Sequence, residues 1–99
     1  MKKLVCATVV TLASAPALHA GPIEAACKNS DRPATAALCG CIQQAADITL
    51  RHSDQRRAAR FFSDPHKAQE VRQSSSDRDN AFWDRYQNFG ETAVAMCGD

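Results

Sequence analysis

Residues Leu38 to Asp47 read LCGCIQQAAD, and how Cys39 and Cys41 are used decides how the chain is held together. Successive residues of an α-helix turn by about 100°, so two cysteines one residue apart project about 200° from each other. A bond between them would unwind the helix, because disulfide geometry is narrow. Instead they flank a broad apolar arc, Cys41 beside Ala34, Ala45 and Ile48, and Cys39 beside Ala46 and Leu50. Each can reach a different neighbour, and the neighbours on offer are Cys27 on the preceding helix and Cys97 at the end of the last. Two pairings join the centre to both ends. Cys27–Cys39 with Cys41–Cys97 is favoured over Cys27–Cys41 with Cys39–Cys97, because a turn near Asp31 folds the first helix back and brings Cys27 closer to the level of Cys39. The margin is less than one helical turn.

Two sharper uses of the pair compete with structural bridges. Redox dithiols sit at exposed helix starts, where the dipole lowers a thiol pKa. This pair lies two turns into a helix with no Lys, Arg or His beside it. The cysteine spacings match no zinc or copper pattern, so neither metal nor cofactor is expected.

The surroundings of the chain favour oxidation. Lys2 and Lys3 precede an apolar run from Leu4 to Leu12, then Pro16 and the sequence ALHA. This is the three-part pattern of a secretory signal peptide, with Leu18 and Ala20 at the positions the peptidase reads. A cut after Ala15 would put Pro16 next to it, so cleavage is expected after Ala20, making residues 1–20 the signal and placing the protein in the periplasm or outside the cell. The apolar run is short of the ~20 residues a membrane span needs. Cys6 leaves with the signal.

Taking 20 residues from 99 leaves 79, a single domain at 21–99. Removing Lys2 and Lys3 from the 12 basic residues leaves 10 against 11 acidic. Such a balance gives no reason to expect nucleic acid or an anionic membrane as partner. A core of this size is thin, and small exported chains add staples. The even set Cys27, Cys39, Cys41 and Cys97 fits two disulfides.

The rest of the chain reads as helix. No stretch alternates β-branched and aromatic residues over a useful length. A short first helix opens at Pro22 and runs through IEAACK. Ser30 or Asp31 is available to cap a second, from about Pro33 to Arg51, with Pro33 near its first turn. Its apolar face is Ala34, Leu38, Ile42, Ala45 and Thr49, with Gln43, Gln44, Asp47 and Arg51 on the far side. Ser53 caps a third helix, Ser63-Asp64-Pro65 repeats the device, and Ser76 caps the last with Asp79 as its capping-box acid. In that last helix Phe82, Tyr86, Phe89, Ala93 and Cys97 form one continuous stripe. Gly90 within it offers room for a neighbouring helix to approach. The expected fold is all-α: a small disulfide-stapled bundle of four to five short helices after a cleaved signal peptide.

Nothing supports catalysis. His52 and His66 sit at polar helix boundaries without a nucleophile or second ligand at working distance in sequence. The distinctive local feature is basic: between Arg51 and Arg72 stand six cations against Asp54, Asp64 and Glu70. An arginine-lined surface with Phe61 and Phe62 at its edge can bind an anion, an acidic protein or a lipid head group. Trp83 points off the centre of the final stripe, either covering the core edge or anchoring a partner.

The segments CGCIQQAAD (39–47), ADITL (46–50), SDQRRAARFFSDPHKAQEVRQS (53–74) and FWDRYQNFGETAVAMC (82–97) together resemble a group of small exported alphaproteobacterial proteins of unknown function. The likeness covers nearly all of Cys27 to Cys97. It implies export, helicity and a disulfide framework, and it transfers no catalytic residue. Some members carry the label "arginine transporter", which this sequence does not support. The mature chain has no membrane span, and 79 residues cannot build a two-lobed binding shell.

The sequence therefore points to an exported, non-catalytic helical domain that binds a protein or envelope component. Arg56, Arg57, Arg60 and Arg72 are its expected contact residues. The alternatives are a thiol–disulfide redox protein using Cys39 and Cys41, and a small-ligand or amino-acid carrier. The carrier needs an apolar cavity, which alanine-rich helices are expected to pack too tightly to leave.

Overall fold

Four of the five described helices begin where an orphan backbone N–H is capped by a side chain or removed by proline. The computed structural model describes residues 21–32 and 34–98, so the signal-peptide reading of residues 1–20 lies outside the described residues. Among those residues there are five helices and no strand. Helix α1 spans Pro22–Lys28, with proline in its first turn. Helix α2 spans Ala36–Thr49, and the hydroxyl of Thr35 accepts the Leu38 N–H at 3.0 Å. Helix α3 spans His52–Ser63 and α4 spans Pro65–Arg72. The Asp64 carboxylate between them accepts the His66 N–H at 3.2 Å, and Pro65 opens α4 without needing an acceptor. Helix α5 spans Asp77–Cys97, capped by Ser76, whose hydroxyl accepts the Asp79 N–H at 3.0 Å.

Three expected boundaries differ. Thr35, not Ser30 or Asp31, caps α2, which starts three residues later than expected and stops before the extended Leu50. Helix α3 opens at His52 with Arg51 as an N-cap that lends no side chain, so Ser53 lies inside the first turn. The capping box at α5 is half made. The Ser76 N–H goes to the Ser74 hydroxyl, and the Asp79 carboxylate turns to Arg57.

The bundle is stapled as the preferred pairing predicts. Cys27 bonds Cys39 with Cα atoms 5.6 Å apart, and Cys41 bonds Cys97 at 5.9 Å. The first bridge closes 12 residues and is worth about 3 kcal/mol by chain-entropy reasoning, the second closes 56 and is worth about 4. Helix α2 packs on α1 and α5, α3 on α1 and α4, and α4 on α5, which closes a ring around the core. That core is Ile23, Ala45, Ala46, Leu50, Ala58, Phe61, Val71, Phe82 and Phe89. Tyr86 is its aromatic hub, with ring centroids 5.1 Å from Phe61, 5.2 Å from Trp83 and 5.8 Å from Phe89. Trp83 thus packs against the core edge.

The face assigned to α2 needs correction. Gln43, expected on the solvent side, is buried, while Leu38 and Ile48 are exposed. The Gln43 carbonyl accepts the Glu24 N–H at 2.8 Å, supplying from α2 the cap that Gly21 cannot give α1. The Gln43 amide donates to Gln55 at 2.7 Å and to Asp47 at 2.8 Å. A buried amide so fully partnered costs little, which is why a polar residue occupies the position. Gly21 fits against it because it has no Cβ; one built there would fall on the Gln43 side-chain amide. Gly90, by contrast, has open space around it, so no neighbouring helix uses it for close approach.

Candidate functional site

The arginines of α3 and α5 divide into two classes by what they touch. Asp54, Gln55, Ala58 and Phe61 form the inward face of α3. Arg57 borders that face: it donates to Asp79 at 2.6 Å, and its guanidinium stands 4.6 Å above the Phe82 ring. The Arg57 bond is the main reason the Asp79 carboxyl is held below its usual pKa. Arg85 holds buried Asp54, and its hydrogen bond is likewise the main cause of that carboxyl's lowered pKa. Both arginines are spent on the fold. The ion pairs had no signal in sequence spacing, since each joins residues on different helices.

Arg56 and Arg60 lie on the opposite side of α3 and are exposed. They stand four residues apart, one turn of helix, so their side chains are neighbours on the surface. Neither pairs with a carboxylate of the described residues. Arg72, at the end of α4, is also exposed and unpaired by the same measure. Of the four arginines expected to meet a partner, three therefore present free guanidinium groups and Arg57 does not.

A groove of about 510 Å³ opens between α2, the α3–α4 corner and α5. Its apolar lining includes Leu38, Ile42, Phe61, Phe62, Ala68 and Tyr86. Ala34, just before α2, lines it too, so the first half of the expected apolar stripe, Ala34, Leu38 and Ile42, forms a wall of this groove instead of core. This overturns the expectation that alanine-rich helices leave no apolar space. Pro65, Ala68 and Gln69 of α4 line the groove as well. Tyr86 lines the groove with no hydrogen bond from its hydroxyl to a described residue, and burial pushes its pKa up. The hydroxyl is therefore a protonated donor at neutral pH.

The cysteines leave no Cys39–Cys41 bond, and Cys39 and Cys27 are both buried. His52 and His66 are exposed at the starts of α3 and α4. Among the described residues no three His, Cys, Asp or Glu side chains gather as a metal site. Among them, too, no helix is long and apolar enough to cross a membrane. Comparison with protein-family models, with curated proteins and with solved structures finds no match to this chain.

Proposed function

We propose that the protein is an exported, non-catalytic binding domain of the periplasm. On this reading it meets an acidic protein or envelope component through Arg56, Arg60 and Arg72. The observation that carries the reading is the pair Arg56 and Arg60: adjacent, exposed, and without an intramolecular carboxylate among the described residues. Guanidinium groups left open on a rigid helix are suited to bidentate bonds with carboxylate or phosphate. Export is supported by the signal pattern of residues 1–20 and by four cysteines all engaged in bridges, as is usual in an oxidising compartment. The resemblance to small exported proteins points the same way. The redox alternative has lost its motivating feature, because Cys39 and Cys41 are bonded to opposite ends of the domain.

The test is capture of envelope components by the immobilised protein, comparing wild type with the double variant Arg56→Glu/Arg60→Glu. The reading predicts loss of a specific acidic partner at unchanged thermal midpoint. Equal capture by both proteins sinks it. Arg57 is left out of the variant because its replacement disturbs Asp79 and Phe82.

A further inference from the structure

We infer that the groove between α2, the α3–α4 corner and α5 is a binding site for a single-chain amphiphile with an anionic head, of which a fatty carboxylate is the simplest. This site is separate from the face carrying Arg56 and Arg60 and does not depend on the function proposed for it.

Three features of the groove select that chemistry. Its volume of about 510 Å³ falls within the about 300–1,000 Å³ typical of small-ligand sites. Its walls are aliphatic and aromatic, with Leu38 and Ile42 from α2, Phe61 and Phe62 from α3, and Tyr86 from α5, whose ring lies 5.1 Å from that of Phe61. An apolar chain gains there by displacing water from surface the fold has left uncovered.

The second feature is charge. The lining holds one formal charge, the exposed Arg32, and no carboxylate. Arg32 pairs with no acid of the described residues. A cationic head would meet only repulsion there, and a neutral chain would leave the guanidinium unused. The third feature is the Tyr86 hydroxyl, a protonated donor without a described partner. Arg32, Tyr86 and exposed Gln69 all line the groove and can donate to an anionic head, with the chain against the phenyl rings. Free arginine, a compact zwitterion of net charge +1, would bring a second guanidinium toward Arg32 and no apolar chain for this lining.

The groove is also preformed. The Cys27–Cys39 bridge ties α1 to α2 at its wall, and Cys27 itself lines it. Little ordering is then required of the protein on binding, which favours measurable affinity from a small ligand.

Trp83 is the sole tryptophan and its ring lies 5.2 Å from Tyr86, so its emission reports on the groove. The experiment titrates the exported protein with sodium decanoate below its micelle concentration, with decyltrimethylammonium as the cationic control. Trp83 emission and isothermal calorimetry are both recorded. The expected result is saturable one-to-one binding of decanoate and none of the cationic chain. Arg32→Glu weakens decanoate about tenfold, the loss of one charge-assisted contact. Leu38→Glu abolishes binding, and the milder Leu38→Ala weakens it severalfold should the glutamate disturb folding. Arg56→Glu/Arg60→Glu leaves it unchanged. Absence of saturable decanoate binding overturns the inference. So does equal affinity for the cationic chain, indifference to Arg32→Glu and Leu38→Ala, or equal loss in the Arg56→Glu/Arg60→Glu protein.

Discussion

Arg85 grips Asp54 with two nitrogens, Nε to Oδ2 at 2.7 Å and Nη2 to Oδ1 at 3.1 Å, and so ties α5 to α3. Arg51 adds a weaker contact at 3.8 Å. The Arg85 hydrogen bond lowers the Asp54 pKa and raises that of Arg85, while each group's own desolvation opposes its shift. A carboxyl whose folded pKa is depressed adds stability that is complete above the unfolded value, about 3.9. That stability is lost as pH falls through the lower folded value. Asp54→Asn should therefore cost about 1–2 kcal/mol near neutrality, between the values for exposed and buried pairs. The cost should shrink on acidification from about pH 5 toward pH 2. Urea midpoints of both proteins across that range check it, and a constant difference would remove Asp54 as an acid-sensitive tie.

The Gln43 amide is expected to be the most sensitive polar group of α2. Replacement by Leu leaves the Glu24 N–H, the Gln55 carbonyl and one Asp47 contact without a partner. The loss should be about 1–3 kcal/mol, whereas Gln44→Ala, at an exposed position, should stay within about 0.5 kcal/mol. Chemical denaturation of the two variants distinguishes them.

The two glycines tested most simply should move stability in opposite directions. Gly90→Ala meets nothing in the space around it and should stabilise α5 by about 0.5–1 kcal/mol, the helix-propensity difference. Gly21→Ala must displace the Gln43 amide and should destabilise. Thermal midpoints of the two proteins read the sign directly.

The bridges should open in order under mild reductant. Cys41 and Cys97 are both part-exposed, while Cys27 and Cys39 are 4% and 0% exposed. Attack on a disulfide needs access to a sulfur. Thiol trapping at increasing reductant, followed by mass spectrometry, should label Cys41 and Cys97 first. Simultaneous labelling of all four cysteines would show that reduction requires global unfolding.

What the sequence revealed of this fold is what local periodicity and helix geometry carry. The Phe82-Tyr86-Phe89-Ala93-Cys97 stripe and the cap at Ser76 follow from residue spacing along one helix, whereas helix geometry favours the observed bridge pairing over its alternative by less than one helical turn. The burial of Gln43 does not follow from spacing, because its reasons are an orphan N–H on α1 and an amide on α3. The pairing of Arg57 with Asp79 is equally invisible to composition, where both count as surface charge. The groove is hidden from the sequence for a different reason. The stripe through Ala34, Leu38 and Ile42 was legible as apolar, but the pattern on one helix does not say whether another covers it. Of the candidate contact residues, the exposure of Arg56 and Arg60 follows from their position opposite Ala58 and Phe61. That of Arg57 depends on partners the local pattern does not name.

The most direct test of an exported, disulfide-stapled binding domain is non-reducing peptide mapping of the protein recovered from the periplasm. The account predicts a chain beginning at Gly21, with Cys27 linked to Cys39, Cys41 linked to Cys97, and no free thiol. Retention in the cytoplasm with reduced cysteines, or a peptide in which Cys39 is bonded to Cys41, would contradict it.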